Sequence, residues 1–139
     1  MPPIFHLSMP VDSLERARAF YVDLLGCRIG RSTKNRMDID FFGHHVVAHV
    51  APKDAQQRSS VIGTDNDPSP VRHFGVILPL EQWQELADRT TEAGVQFVVP
   101  PQVIHKGRIS EQSIMLIQDT CGNVVEFKSI PEDRIFATQ

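Results

Sequence analysis

The sequence predicts an α+β fold: two βαβββ modules that pair their sheets into a cupped, partly closed barrel with helices outside. Three observations carry this prediction. Each half holds one segment of helical periodicity followed by glycine. Each half surrounds that segment with short β-branched and aromatic runs bounded by turn residues. And the two halves repeat one another in outline, with His6 and His73 in the same place in the first strand of each. A chain of 139 residues is one domain or two small halves sharing a core, so a single domain over residues 1–139 is expected.

Ile4 to Met9, closed by Pro10, reads as the first strand. Asp12 with Glu15 three residues later is a capping-box-like start. Leu14, Ala17, Tyr21, Leu24 and Leu25 then recur at helical spacing, and Gly26 is a good stop, so Ser13 to Leu25 is predicted as a helix. Cys27–Ser32 and Met37–Phe42 are strands joined by a polar turn, and Val46–Val50 returns after a turn at Gly43-His44-His45. Module one therefore spans about residues 1–51. Residues 52–70 are polar and rich in proline, and read as a linker that also covers a site.

Module two, about 71–130, opens with a strand from Val71 to Leu78 that carries His73. Pro79-Leu80-Glu81 starts a helix with Trp83, Leu86 and Ala87 on one face, ended by Gly94. Val95–Val99 is a strand closed by Pro100-Pro101, and Gln102–Glu111 is a polar loop with His105, Lys106 and Arg108. Ser113–Gln118 and the strand holding Glu126 complete the module; 131–139 is a tail.

A formal charge of -3 recommends neither nucleic acid nor an anionic membrane as partner. Cys27 and Cys121 form no metal-type pair and no disulfide framework, which fits a reducing compartment. No basic region precedes an apolar run near Met1, and no apolar run is long enough to span a bilayer, so a cytoplasmic protein is expected.

The chemistry is expected around Glu126. Asp119-Thr120-Cys121-Gly122-Asn123 is turn chemistry feeding the strand Val124-Val125-Glu126-Phe127, in which Glu126 is a carboxylate among apolar residues. A buried carboxylate must be hydrogen-bonded, paired or metal-bound. If two repeated modules face each other, His6 and His73 meet at the centre and Glu126 reaches the same point. Two imidazoles and one carboxylate are the facial donor set associated with non-haem Fe(II), and Zn is also held by two His and one Glu. Donor types alone do not choose between Fe, Mn, Ni and Zn.

The repeated outline resembles the vicinal oxygen chelate superfamily, which includes glyoxalase I, type I extradiol dioxygenases, fosfomycin-resistance enzymes and bleomycin-resistance proteins. Ile4-Phe5-His6-Leu7, Arg72-His73-Phe74-Gly75-Val76 and Gln118-Asp119 through Gly122-Asn123-Val124-Val125-Glu126-Phe127-Lys128 carry the resemblance. It implies His6, His73 and Glu126 as metal ligands, with Fe(II) favoured and Mn, Ni, Co or Zn as alternatives. Glyoxalase-type members carry a further acidic ligand on the last strand of module one, where Val46-Val47-Ala48-His49-Val50 has none. The Gly107–Gln112 loop and Phe41-Phe42-Gly43-His44 resemble small extradiol-type dioxygenases, which implies oxidative ring cleavage of a small catechol-like substrate with O2. By place, His49 and His105 match the acid-base histidines of such enzymes, and His49 is also a candidate fourth ligand. Lys106 and Arg108 are candidate anchors for an acidic group. Tyr21, the only tyrosine, falls on the first helix rather than near the metal. Trp83, Phe41, Phe42 and Phe127 are expected in the core. A glyoxalase-like lyase or isomerase, a fosfomycin-resistance-like transferase, and a non-catalytic binding module are the alternatives. A homodimer is expected to cover open sheet edges.

Overall fold

A computed structural model describes residues 1–56 and 59–138; Gln57 and Arg58 of the predicted linker and Gln139 of the predicted tail lie outside the described residues. The fold is α+β, with two βαβββ modules that each form a four-stranded sheet. The chain divides into two compact units. Unit 1 is Met1–Arg58 with Asp119–Asn123, and unit 2 is Ser59–Gln118 with Val124–Gln139.

In unit 1, β1 (His6–Val11), β2 (Arg28–Ser32), β3 (Arg36–Phe41) and β4 (His44–Val50) lie in the order β1-β4-β3-β2. β1 runs parallel to β4, and β3 runs antiparallel to it. Alternation then separates the faces. Met9, Val46, Ala48, Met37 and Ile39 are buried on one face, with Ala17, Phe20, Tyr21 and Leu25 of the helical segment completing the core. His6, Ser8 and Pro10 share the opposite face with His45, Val47 and His49, and with Asp40, Asp38 and Arg36. Pro10 is tolerated within β1 because that strand is at the sheet edge.

The predicted helix is helical but not α throughout. α1 covers Leu14–Arg18, with Ser13 Oγ accepting from Arg16 N–H at 3.1 Å as its N-cap; a π-helical segment follows over Ala19–Leu24. The wider turn leaves consecutive Phe20 and Tyr21 both buried, with the rings packed edge to face. Tyr21 O–H donates to Asp119 Oδ2 at 2.8 Å. Asp119 also accepts from Cys121 N–H and Asn123 N–H at Oδ1, and from the Asn123 amide at Oδ2. The predicted turn at 119–123 is thus closed around one buried carboxylate. Gly122 has φ +92, and a Cβ there would lie 2.7 Å from Gln56 Cα, so glycine is required on two counts.

In unit 2, β7 (Phe74–Ile77), β8 (Phe97–Ile104), β9 (Gln112–Gln118) and β10 (Val124–Ser129) lie in the order β7-β10-β9-β8. α2 (Leu80–Glu92) buries Trp83, Leu86, Ala87 and Thr90, and the Trp83 indole donates to Phe127 O at 2.9 Å. Two boundaries differ from expectation. β8 continues through Pro100 and Pro101, because as an edge strand it loses no obligatory ladder bond and absorbs the prolines in register shifts. His73 precedes β7 rather than lying within it. The linker also holds a small hairpin, β5 (Val61–Ile62) with β6 (Ser69–Pro70). No helix among the described residues is long and apolar enough to cross a membrane.

Two outcomes follow for stability. Tyr21→Phe removes a donor to a buried carboxylate and should cost about 1–3 kcal/mol in urea unfolding at neutral pH. Burial and the hydrogen bond to Asp12 push the Cys121 thiol from 9.0 up to about 11. The native state therefore keeps the proton that the unfolded chain releases first, and this contribution, complete below 9.0, is lost as pH rises toward 11. Thermal unfolding should show falling stability across that window, and Cys121→Ala should flatten the fall; an unchanged slope would contradict the assignment.

Candidate metal site

His73 and Glu126 are brought together in unit 2. β7 pairs with β10 in parallel, with Gly75 opposite Glu126 and Phe74 opposite Val125. His73 lies two residues before Gly75 and its ring turns to the same side, so that His73 Nε2 is 3.1 Å from Glu126 Oε1. Glycine at 75 is dictated by this closeness: a Cβ there would lie 1.6 Å from Glu126 O. Both side chains are mostly buried, 23% and 13% exposed, and Lys128 Nζ stands 3.6 Å from the same carboxylate oxygen. Leu116 faces Glu126 from the other neighbouring strand and belongs to a buried cluster with Val99, Ile114 and Val124.

The protons in this pair are fixed by its partners. His73 Nδ1 lies 2.6 Å from Pro70 O, and a carbonyl only accepts, so Nδ1 carries the hydrogen. In the neutral ring Nε2 is then a bare lone pair aimed at a carboxylate, which also only accepts. Two acceptors 3.1 Å apart require a cation between them. A proton satisfies this, and so does a metal ion: donors at about 2.1 Å in cis positions on one ion are about 3 Å apart. The donor chemistry therefore fits a divalent metal. Among the described residues, no three His, Cys, Asp or Glu side chains gather as a metal-holding group; the structure brings His73 to Glu126 only.

His6 lies in unit 1, exposed at the start of β1, with its Cα opposite that of His45. Its Nδ1 is 2.9 Å from His45 Nδ1, with the ring centroids 4.9 Å apart and the rings inclined by 24°. His45 Nε2 is 3.5 Å from Oδ2 of Asp38, whose Oδ1 is held by Arg36 and whose Oδ2 Arg31 approaches. His44 and His45 are not idle turn residues: both begin β4, and His44 Nδ1 accepts from Phe5 N–H at 3.1 Å. Two adjacent histidines after Gly43 gave no periodic signal, and only the register of β4 against β1 reveals the pairing.

His49 is exposed and shares the face of His6, but lies four residues further along β4 than the residue opposite His6. At about 3.3 Å per residue this is about 13 Å, too far to ligate the same ion as His6. The residue of module one that corresponds to Glu126 is Val47, since Ser8 opposes Val47 as Gly75 opposes Glu126. Val47 is apolar and buried, so the place of a fourth acidic ligand is filled by a side chain that binds nothing. His105 is exposed, with φ 55, in the turn after β8, where Gly107 N–H donates to Glu111 Oε1 at 2.8 Å. Tyr21 is buried in the core of unit 1.

Two βαβββ modules, each a four-stranded sheet with a helical segment, define the class of scaffold. The profile of the Glyoxalase/Bleomycin resistance protein/Dioxygenase superfamily matches residues 4–127, and the chain belongs to that superfamily. No curated protein sequence matches it. Among solved structures, it is similar to a glyoxalase/bleomycin resistance protein/dioxygenase from Alicyclobacillus acidocaldarius, with 28% identity, TM-score 0.80, and 98% and 97% of the two chains covered. It also shares its fold with the fosfomycin resistance protein FosX from Listeria monocytogenes in complex with Mn(II) and sulfate, at 14% identity, TM-score 0.70, and 96% and 94% coverage. A virulence protein from Salmonella typhimurium matches at 21% identity and TM-score 0.63 over 94% and 98% of the chains.

Gly75→Ala should separate β7 from β10 locally and part His73 from Glu126 while α2 and β9 stay folded. Backbone amide shifts in NMR spectra should change along 73–77 and 124–128; a spectrum unchanged there would contradict the assigned contact.

Proposed function

We propose that His6, His73 and Glu126 hold a divalent metal ion, and that the chain is a metal-dependent enzyme acting on a small molecule through two adjacent oxygens. The observation that carries this reading is the facing of two acceptors, His73 Nε2 and Glu126 Oε1, at 3.1 Å. Three donors leave coordination positions open for substrate, as in the two-His-one-carboxylate sites of Fe(II) oxygenases. When bound, the ion supplies Lewis acidity and a template that brings substrate and O2 together.

Around it, the chain's own groups orient and exclude. The sheet register fixes Glu126 and His73 side by side, and the Leu116 cluster keeps water from the carboxylate's flank. Glu126 neutralises part of the ion's charge, while Lys128 beside it leaves the pair less negative overall. His49 and His105 are the groups we assign to proton transfer. Their exposure leaves them open to substrate, and His49 serves a molecule that extends along β4 rather than the ion itself. The reaction proposed is extradiol-type oxidative cleavage of a small catechol-like ring at Fe(II). A homodimer is part of this reading, since β1 and β7 are each edge strands of their sheets.

A second reading is a Lewis-acid reaction without O2, of the fosfomycin-resistance or glyoxalase kind. It is favoured by the burial of Tyr21, which leaves a catechol without its customary phenol neighbour, and by the likeness to FosX solved with Mn(II).

Anaerobic loading with Fe(II), followed by oxygen uptake with a panel of catechols, tests the proposal. Uptake is expected, and Glu126→Ala should reduce it by more than the ~10–100-fold typical of losing an outer-sphere partner. Uptake that survives Glu126→Ala would remove the triad. Turnover of an epoxide or hemithioacetal with Mn(II) or Ni(II), without oxygen uptake, would transfer the assignment to the second reading.

A further inference from the structure

His45 has no part in the three-ligand set, yet it is the closest polar neighbour that His6 has in the structure. We propose that Asp38, His45 and His6 form a positioning relay that locks His6 as its Nδ1–H tautomer and leaves its Nε2 lone pair free for a metal ion. This rests on the reading of His6 as a ligand, but the relay itself is a property of unit 1 alone.

Arg36 donates to Asp38 Oδ1 from close range, at 2.6 Å, and Arg31 approaches Oδ2 at 3.5 Å. The Arg36 guanidinium holds this carboxyl below its usual range, so it is a carboxylate and can only accept. His45 Nε2 stands 3.5 Å from Oδ2, and of the two neutral forms of the ring the one with its hydrogen on Nε2 is the one this carboxylate favours. In the neutral ring His45 Nδ1 is then bare. It faces His6 Nδ1 at 2.9 Å, and a contact that short between two ring nitrogens holds one proton, which must come from His6. With Nδ1 of His6 protonated, Nε2 is the basic nitrogen.

The other carboxylate near His45 does not compete. Asp40 is opposite His45 in the ladder but is engaged by Arg28 at 3.4 Å and by Gly43 N–H at 2.9 Å. An interplanar angle of 24° keeps the two rings nearly coplanar across the short Nδ1–Nδ1 contact, and the β1–β4 register fixes their Cα atoms opposite one another. His73 reaches the same tautomer by another route, through Pro70 O. Both histidines of the proposed set thus present Nε2, one through a backbone carbonyl and one through a second imidazole. Orientation of a ligating histidine by a partner on its other nitrogen is the usual device in metal sites.

The relay is tested on the uniformly 15N-labelled, metal-free protein at about pH 8.5, above the ordinary imidazole range. Long-range 15N–1H spectra should show His6 as the Nδ1–H form. His45→Phe keeps an aromatic ring but removes the acceptor, and should return His6 to the Nε2–H form that a free imidazole prefers. His45→Asn supplies a carbonyl acceptor and should restore Nδ1–H. Asp38→Asn can donate to His45 Nε2 and should reverse the chain, giving Nε2–H on His6. Mn(II) affinity, followed by the EPR signal of free Mn(II), should fall about 10–100-fold in His45→Phe and recover in His45→Asn. A wild-type His6 in the Nε2–H form, or one unchanged by His45→Phe in a variant with an otherwise native amide spectrum, would overturn the relay. Tautomer changes as described in a protein that takes up no Mn(II) would uphold the relay and overturn the metal reading on which its purpose depends.

Discussion

Two hydrogen-bond acceptors held against each other are the constraint around which unit 2 is organised. With Pro70 O taking the Nδ1 hydrogen, the 3.1 Å gap between His73 Nε2 and Glu126 Oε1 is favourable when a cation, either a second proton on the ring or a metal ion, lies between them. The backbone enforces this approach. Parallel pairing of β7 with β10 puts residue 75 against Glu126, where only hydrogen fits in place of a side chain. An apolar cluster on the same sheet lowers the local dielectric and raises the energetic stake of leaving the pair unneutralised. A proton on His73 makes the contact an ion pair, and the proposed metal ion would meet the same need.

Unit 1 handles its imidazole differently. His6 stands at an exposed strand end, and its Nδ1 meets His45 where that of His73 meets Pro70 O. The helix face of the same sheet is held by a separate polar knot. The π-helical turn delivers Tyr21 to Asp119, and burial pushes the Asp119 carboxyl up against four hydrogen bonds that favour its charge. Asn123 extends the knot to Pro10 O, tying the 119–123 turn to β1 of unit 1. The stretch that leads into the Glu126 strand is thereby one of the best-anchored turns of the chain, consistent with a site that needs its carboxylate held still.

Much of this was legible in the residues. The repeat of β-branched runs around one amphipathic segment gave both modules, and the lone carboxylate of Val124-Val125-Glu126-Phe127 marked the strand that meets His73. What escaped is set by pairing between strands. Val47 rather than His49 corresponds to Glu126, a fact of register that alternation within β4 cannot reveal. His45 looked like part of a turn because Gly43 precedes it, and its contact with His6 is separated by 39 residues in sequence. The π-helical turn was missed because it keeps the same apolar residues as an α-helix and changes only their spacing. Pro100-Pro101 suggested a strand end, but edge position removes the penalty that would have enforced one.

The central claim is that a metal ion resolves the conflict between His73 and Glu126. Anomalous diffraction at the Mn absorption edge from crystals grown with Mn(II) tests it most directly. The account predicts a peak within about 2.3 Å of both His73 Nε2 and a Glu126 carboxylate oxygen, with a third contact from a His6 Nε2. Crystals without a peak there, in which His73 Nε2 carries a proton shared with Glu126, would contradict it.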